Sequence, residues 1–449
     1  MKNPKNIADL IQRAEALNAT ILPNGELSSR DCFKTRRNNN IIVMGTTGAS
    51  KTRSVVIPNI LTAQESYIIA DAKGNLFRNY APYLKSKGYR IVHLDMIHPE
   101  KSDGFNPLID LNTPDDYLKL AHYFVYAGKK GYSTADPFWD RSAMEVLATM
   151  IGYIAESDTP PEQRTMSEVL RLLATFNPEE IEKRHRCEFD GLMKAANTAY
   201  MERFGEEMWS RRQYRKFREV ISRTMNTILL TIHGDLAALD TPGVRQMMQK
   251  PNIDIEMIGR EKTAVFVEVS DTDRSKDTLT NTFYSRAMDV LCRFADSQPD
   301  SRLPVPVQFI LDDFGTNCRI DGFENIISNI RSRGISAMII LQSTGQLRSG
   351  FGESAQTIMD NCDTFVFLGG NDVTTAQMIA RRADRPLSDI TNMPVSTNWV
   401  FQRGRKPVYS RTVDLNEYTL AKQIEAGEFE QEPEWVDIEL PDFDIMPIS

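Results

Sequence analysis

A glycine-rich run that ends in lysine and threonine has the residue types and spacing of a phosphate-binding loop. It follows a short apolar run, Ile41–Met44, and precedes residues 53–61, which have helical character, so a strand, a loop and a helix are expected in that order. Backbone N–H groups at the start of a helix form a concave site for anions. The loop consists of Gly45, Thr46, Thr47, Gly48, Ala49, Ser50, Lys51 and Thr52.

The last three residues of the loop indicate what it would bind. We expect the ammonium of Lys51 to reach the β- and γ-phosphates of ATP, and the hydroxyl of Thr52 to be a ligand of Mg²⁺. Ser50 stands where such loops usually have glycine, and its Cβ costs about 1–2 kcal/mol if the backbone there is left-handed. ATP binding is therefore expected, but weaker than with glycine; a glycine-rich turn without a ligand is the alternative.

A second apolar run, Val307–Leu311, ends in two aspartates, Asp312 and Asp313. Carboxylates at the carboxyl end of a parallel strand project into the ligand crevice of the sheet. We expect Asp312 to hold Mg²⁺, through a water molecule, and Asp313 to orient the attacking water. ATPases often have the longer glutamate at this second position, so the aspartate predicts slower hydrolysis. An ordinary pair of aspartates in a turn is the alternative.

A third apolar run, residues 337–341, is followed by Gln342. A glutamine at the end of a neighbouring strand can sense the γ-phosphate or the attacking water and report the nucleotide state to the substrate side. A polar residue after a strand is usually an ordinary loop residue. The hypothesis for Gln342 therefore depends on the other two motifs.

The elements that must position these residues alternate between short apolar runs and helical patterns, which predicts a parallel sheet with helices on both faces. The runs form two groups on either side of a long stretch that has helical periodicity. We interpret this stretch as an all-α domain inserted into one nucleotide-binding domain. Further strands are predicted at residues 67–70, 90–94, 263–269 and 364–368.

This pattern divides the chain into four parts. We predict an N-terminal helical extension at residues 1–29 and a discontinuous nucleotide-binding domain at residues 30–112 and 256–424. The inserted all-α domain is predicted at residues 113–255. The remaining part, residues 425–449, is an acidic C-terminal tail.

Composition restricts the class of protein. No window approaches the roughly 18 consecutive apolar residues that a membrane-spanning helix needs, and the first ten residues lack the apolar centre of a signal peptide. The five cysteines are far apart and lack metal-ligand spacing, which predicts reduced thiols. We therefore expect a cytoplasmic protein.

The formal charge of −8 is concentrated at the C-terminal end. From Gln423 onward there are nine acidic residues and no Lys or Arg, so the remaining residues sum to +1. Such a tail either folds back as a screen over a nucleic-acid-binding surface or docks on a basic partner, or it is solubilising disorder.

Residues 209–223, in the predicted all-α domain, are strongly basic and also contain Tyr214 and Phe217. Cations neutralise phosphates and aromatic rings stack on bases, so we hypothesise that this segment holds DNA. A solvated or salt-bridged helix face is the alternative. The basic residues are Arg211, Arg212, Arg215, Lys216, Arg218 and Arg223.

The order of these motifs resembles that of the TraG/TraD-type coupling proteins of conjugation and type IV secretion, in particular their shorter relatives without transmembrane helices. The similarity extends over roughly residues 39–383. The stretches that carry it are residues 45–59, 71–75, 105–108, 311–314, 330–347, 361–363 and 367–370.

The resemblance implies an α/β fold with a RecA-like P-loop NTPase domain, a mostly parallel sheet and an inserted all-α domain. It also implies a ring of six subunits that uses ATP and Mg²⁺ to move DNA, or a relaxase or other protein cargo, into a type IV secretion channel. Recruitment to the inner face of the cell membrane would then come from a partner. By its place in the family pattern, Arg331 would be the arginine finger that reaches a neighbouring subunit's γ-phosphate; a structural salt bridge is the alternative.

Asp71 and Lys73 follow their predicted strand directly and are expected at the crevice. Ser50 and Asp313 depart from the family pattern and put the rate of hydrolysis in doubt. They leave open a nucleotide-gated adaptor that binds relaxase or effector cargo with little or no sustained hydrolysis.

Overall fold

The computed structural model describes residues 7–126, 137–315 and 318–429, which form two β-sheets and the helices around them. The strands are β1 (Ala19–Ile21), β2 (Leu27–Ser29), β3 (Ile41–Met44), β4 (Ser66–Ala72), β5 (Arg90–Asp95), β6 (Thr263–Val269), β7 (Val307–Leu311), β8 (Ile335–Leu341), β9 (Thr364–Phe367), β10 (Thr397–Gln402) and β11 (Val408–Arg411).

Helices connect most of these strands. They are α1 (Leu10–Ala16), α2 (Cys32–Thr35), α3 (Ile57–Leu61), α4 (Asn75–Ser86), α5 (Pro114–Tyr126), α6 (Pro137–Glu156), α7 (Met166–Thr175), α8 (Pro178–Arg184), α9 (Glu188–Phe204), α10 (Trp209–Phe217), α11 (Ser222–Leu236), α12 (Pro242–Gln249), α13 (Ile255–Arg260), α14 (Asp277–Ser297), α15 (Phe323–Ile326), α16 (Thr344–Phe351), α17 (Ala355–Asp360), α18 (Val373–Ala383), α19 (Leu387–Thr391) and α20 (Thr419–Glu425). A π-helical turn, Thr52–Val56, precedes α3.

The larger sheet has nine strands in the order β11-β10-β9-β3-β8-β7-β4-β6-β5. The seven strands from β9 to β5 pair in parallel, whereas β10 and β11 add an antiparallel edge. Every residue of β6, β7 and β8 is buried, because helices cover both faces of the sheet. The prediction of an α/β fold with a mostly parallel sheet is confirmed.

Alternate residues of the strands enter two separate hydrophobic cores. In β3, Ile42 and Met44 contribute to one core, and Ile41 and Val43 contribute to the other. This alternation follows from the period of two in side-chain direction along a strand. The second core also contains apolar residues of α1, α3, α4 and α20.

The first core continues without a break into the helices between β5 and β6. Tyr117 and Phe124 of α5 and Ile228 of α11 belong to the same cluster as Val267 of β6. In the described ranges 113–126 and 137–255, the regular elements are helices and no strand is present. We propose residues 113–255 as an insertion that packs directly against the sheet.

The N-terminal extension packs on the second core through Leu10 and Ile11 of α1. It also contains an antiparallel hairpin, β1–β2, which was not predicted. The side chain of the fully buried Asn59 connects this hairpin to the helix after the phosphate loop. Its Oδ1 accepts from Ile21 N (2.8 Å) and its Nδ2 donates to Ile21 O (2.9 Å), both on β1. The same Nδ2 donates to Val55 O (2.7 Å).

In the described ranges, no helix combines the length and the apolar composition that crossing a bilayer requires. All five cysteines are free thiols, as expected for reduced cysteines. Most of the predicted acidic tail, residues 430–449, lies outside the described residues. Of its first residues, Glu425 ends α20 and residues 426–429 follow it. Phe429 packs edge-to-face on Tyr83.

Candidate functional site: a phosphate loop and two aspartates

The phosphate loop leaves the carboxyl end of β3 and is anchored to the strands on either side. Gly45 N donates to Leu341 O (3.2 Å), and Thr46 N donates to Gly369 O (3.1 Å). Gly45 has no room for a side chain, since a Cβ there would lie 3.0 Å from Ala49 Cβ. The start of the loop, Gly45 and Thr46, is therefore anchored at the carboxyl edge of the sheet.

Lys51 folds back over the loop. Its Nζ donates to Gly45 O (2.8 Å) and Thr46 O (3.2 Å). Burial lowers the pKa of Lys51, and the charges of Asp312 and Asp313 oppose that change. The ammonium thus lies within electrostatic range of both aspartates, and it can exchange the loop carbonyls for phosphate oxygens.

Two loop residues have a left-handed backbone: Gly48 (φ +81°) and Ser50 (φ +61°). Glycine adopts this conformation without strain. Ser50 therefore has the left-handed backbone that costs a residue with a Cβ about 1–2 kcal/mol of conformational free energy.

Replacing Ser50 with glycine is expected to tighten ATP binding by about fivefold, which corresponds to roughly 1 kcal/mol. The bound loop must keep this conformation, whereas the free loop can relax. Isothermal titration calorimetry with ATP and Mg²⁺ measures the change. Gly48→Ser is the matched control and should weaken binding; unchanged affinity in Ser50→Gly would show that the serine costs nothing.

The two aspartates follow β7 directly. Asp312 is half-buried. Its desolvation together with the charge of Asp313 raises its pKa to about 6, although Lys51 opposes this. Asp313 N donates to Asp312 Oδ1 (3.0 Å). Asp313 has a left-handed backbone (φ +47°), so the chain turns sharply at this point.

Gln342, at the end of β8, contacts Asp313: its Nε2 donates to Asp313 Oδ1 at 3.3 Å. Gln346 donates to the same oxygen at 3.4 Å, and its Oε1 accepts from Gln342 N at 2.8 Å. Sequence reasoning missed Gln346. Its place in the first turn of α16, the helix that starts just after Gln342, is the signal that could have found it.

Thr52 and Asp312 line one cleft of about 570 Å³, which we call the acidic cleft because Asp71 also lines it. The Asp71 carboxylate accepts from Leu76 N (3.0 Å) and Phe77 N (2.7 Å), so it caps the start of α4. Burial is the largest cause that raises the pKa of Asp71 to about 6. Lys73, by contrast, is exposed and pairs with Asp271 (2.8 Å).

The residues of the acidic cleft fit a Mg²⁺ ion that is bound together with phosphate. Mg²⁺ prefers oxygen ligands, and Thr52 and Asp312 supply a hydroxyl and a carboxylate. The raised pKa of the half-buried Asp312 carboxyl means that its charged form is poorly solvated, and a bound cation would stabilise that charged form.

Arg331 does not join these residues within one chain. It precedes β8, at the amino edge of the sheet, and its Nη2 donates to Cys32 O (2.6 Å). The seven residues of β8 separate it from the carboxyl edge by about 20 Å. Only a neighbouring subunit could place this guanidinium at a phosphate.

The basic segment 209–223 is not a continuous helix, since α10 ends at Phe217 and α11 starts at Ser222. Tyr214 is fully buried and Phe217 is 9% exposed, and both belong to the first core. The hypothesis that these two rings stack on bases is therefore wrong.

Some cations of this segment are paired within the chain. Arg218 bonds Asp190 (2.6 Å), an interaction that raises the pKa of the guanidinium, and Arg215 bonds Glu207 (2.8 Å). The exposed members are Arg212, Arg215, Lys216 and Arg223. A role in holding DNA would depend on phosphate contacts from these cations.

Residues 5–384 match the profile of the family described as "Type IV secretory system Conjugative DNA transfer". Protein VirD4 of Rhizobium rhizogenes is 25% identical over 355 residues, which are 76% of this chain and 48% of that protein. Conjugal transfer protein TraG of Escherichia coli is 20% identical over 359 residues, 76% of this chain and 54% of that protein. This chain spans about half the length of these relatives.

Among solved structures, the plasmid coupling protein TrwB in complex with ADP and Mg²⁺ has a TM-score of 0.64 and 17% identity, and the match covers 91% of this chain and 92% of that one. TrwB with the ATP analogue ADPNP also has a TM-score of 0.64, at 16% identity, with 92% and 93% covered. These similarities confirm a RecA-like P-loop NTPase fold with a helical domain. The chain belongs to the type IV secretory system conjugative DNA transfer family.

Proposed function

We propose that the protein is an ATP-dependent coupling protein, which recruits DNA or a relaxase–DNA complex and drives it into a type IV secretion or conjugative transfer apparatus. One observation carries the proposal: Thr52 and Asp312, 260 positions apart in the chain, line one cleft next to Lys51. The family membership and the coupling role named for TrwB support it.

Each site residue has a role in ATP hydrolysis under this proposal. Residues 45–52 bind the phosphates through backbone N–H groups, and Lys51 holds the β- and γ-phosphates. Thr52 and Asp312 hold Mg²⁺, which neutralises charge on the phosphates when bound. Asp313 orients the attacking water, and its hydrogen bond from Gln342 links the state of the nucleotide to α16.

The proposed partners follow from the same role. They are DNA, a relaxase or other protein cargo, the components of a type IV secretion channel and further copies of this chain in a homo-hexamer. The position of Arg331, about 20 Å from the carboxyl edge of its own sheet, supports assembly, because the residue can act only in trans. We further propose that the protein works in the cytoplasm and that a partner brings it to the inner face of the cell membrane.

The second candidate is a nucleotide-gated adaptor with little sustained hydrolysis. The left-handed backbone of Ser50 favours it, since strain in the loop opposes tight binding. The short side chain of Asp313 favours it too, since it reaches one methylene less far than glutamate.

Turnover of ATP by the purified protein, measured without DNA and with single- or double-stranded DNA, separates the two functions. For a motor, we expect turnover that rises with DNA and that Lys51→Ala abolishes. ATP binding without Lys51-dependent turnover would support the adaptor. Absence of ATP binding at millimolar concentrations would contradict both.

A further inference from the structure

A cavity of about 350 Å³ lies at the amino edge of the larger sheet, and we call it the amino-edge cavity. Residues at the starts of three parallel strands line it: Glu65 just before β4, Lys262 just before β6 and Ile335 as the first residue of β8. Its volume is in the range of small-molecule sites, about 300–1,000 Å³. The phosphate loop and the two aspartates lie at the opposite edge, so the ATP site does not account for this cavity.

The lining of the amino-edge cavity has an excess of positive charge, since four cations and two carboxylates contribute to it. Glu65 pairs with Arg30 (3.7 Å), and Glu15 pairs with Lys87 (4.0 Å), which lies outside the lining. In the described part of the chain, the other three cations have no carboxylate within ion-pair distance; they are Lys262, Arg302 and Arg331. An anion bound in the cavity would supply the charge that these three side chains lack.

Three lining residues have a buried polar atom without a hydrogen-bond partner among the described residues. These atoms are Arg30 Nη2, Glu65 Oε2 and Ser336 Oγ, and the three residues are at most 6% exposed. Buried polar atoms without a partner are rare, because each one costs the free energy of its desolvation. A hydroxyl group can both accept from an arginine and donate to a carboxylate, so it can satisfy atoms of both kinds.

The guanidinium of Arg30 is fixed in the cavity wall by its other nitrogen atoms. Its Nε donates to Thr20 Oγ1 on β1 (3.1 Å), and its Nη1 donates to Gln64 Oε1 (3.1 Å). Gln64 is held in turn, because its Nε2 donates to Ala14 O on α1 (2.6 Å). The N-terminal extension thus fixes the orientation of Arg30, and a ligand would meet a preformed wall.

We propose that the amino-edge cavity binds a small phosphate ester that also carries hydroxyl groups, as a phosphorylated sugar does. The phosphate belongs at the outer cations, since Lys262 is exposed and Arg302 is half-buried. The hydroxyl groups belong in the buried part, where Arg30, Glu65 and Ser336 need hydrogen-bond partners. This site goes beyond the proposed function, and it does not require that ATP binds at the phosphate loop.

Calorimetry with ribose 5-phosphate and with inorganic phosphate tests the site, because the second probe has the phosphate but no hydroxyl groups of a sugar. The wild type should bind ribose 5-phosphate on the order of tenfold more tightly than inorganic phosphate. The double variant Lys262→Gln, Arg302→Gln should bind ribose 5-phosphate on the order of tenfold more weakly than the wild type. Lys34→Gln, Arg90→Gln is the matched control and should bind like the wild type, since both cations are exposed and neither lines the cavity.

Ser336→Ala tests the buried part of the site separately, because it removes one hydroxyl and keeps all four cations. It should bind inorganic phosphate like the wild type and lose most of the preference for ribose 5-phosphate. Equal affinities for the two probes in the wild type, or an unchanged preference in Ser336→Ala, would show that the cavity holds only water and would overturn the proposal. Phosphate bound at residues 45–52 contributes equally in the wild type and the variants, so the differences between them report on the amino-edge cavity alone.

Discussion

Replacing Asp312 with asparagine is expected to abolish Mg²⁺-dependent hydrolysis and, at neutral pH, to stabilise the folded protein. Hydrolysis is lost because the amide carries no charge to hold the metal, and a loss of at least a hundredfold in kcat is expected. Stability rises because a partly buried and poorly solvated carboxylate is removed. Steady-state ATPase assays and urea unfolding measure the two effects.

The pH dependence of the stability gain has a definite sign. Burial raises the pKa of Asp312 from its ordinary value near 4 to about 6, so the folded state binds this proton more tightly than the unfolded state. The carboxyl therefore destabilises the fold increasingly as pH rises from about 4 to about 6. At pH 8 the gain for Asp312→Asn is expected to reach up to about 3 kcal/mol, and at pH 4 it should nearly vanish.

Asp71→Asn is the matched control for this prediction. The pKa of Asp71 is also raised to about 6, but its carboxylate accepts two backbone N–H groups at the start of α4. The asparagine loses the hydrogen bonds that the charged carboxylate accepts, and this loss offsets the stability gained by removing a buried charge. The increase in stability is therefore expected to be smaller than for Asp312→Asn, or stability falls. If Asp312→Asn is no more stable than the wild type at pH 8, desolvation of the Asp312 carboxylate does not destabilise the folded protein.

The strands of the parallel sheet could be predicted closely because their patterns are simple. The observed limits of β3 and β7 are those predicted. β3 is wholly apolar and β7 is apolar except for Gln308, and the next residue is glycine or aspartate. The predicted order of strand, phosphate loop and helix is also observed, because the motif depends on local sequence.

β10 was missed because its polar residues are buried. Asn398, for example, is fully buried and bonds Thr412 (3.0 Å) and Ser410 (3.1 Å) on β11 or just after it. A hydropathy pattern does not show a polar side chain whose partners lie on the next strand.

The aromatic residues of the basic segment show a related limit. Tyr214 and Phe217 are three residues apart, which places both on the buried face of α10, among cations on the exposed face. The spacing alone fits an aromatic core stripe and a base-stacking platform equally well. Only the packing of α10 against the first core distinguishes them.

Likewise, the sequence motif identified Lys51, Thr52 and Asp312, but not the residues that connect the site to its surroundings. Arg53 lines the acidic cleft and donates to Asn416 Oδ1 (3.0 Å), 363 positions away. No local pattern specifies such a pair, because it forms only when the C-terminal segment folds back on the phosphate loop.

Replacing Arg331 with alanine is expected to reduce hydrolysis on the order of a thousandfold and to leave ATP binding unchanged. The guanidinium lies about 20 Å from the carboxyl edge of its own sheet, so it cannot stabilise the transition state in its own subunit. In the wild type, specific activity should therefore rise with protein concentration. Arg333→Ala is the matched control, since Arg333 is paired with Asp296 (2.8 Å) in the same chain and should matter little for hydrolysis.

Mixing two inactive variants tests the role in trans most directly. Lys51→Ala has an intact Arg331, and Arg331→Ala has an intact phosphate loop, so a mixed ring contains interfaces at which both residues are present. Activity should therefore reappear on mixing and reach a maximum near equal amounts of the two variants. If the mixture stays inactive while wild-type specific activity is independent of concentration, Arg331 has only a structural role, in which its bond to Cys32 O holds the start of β8 against the N-terminal segment.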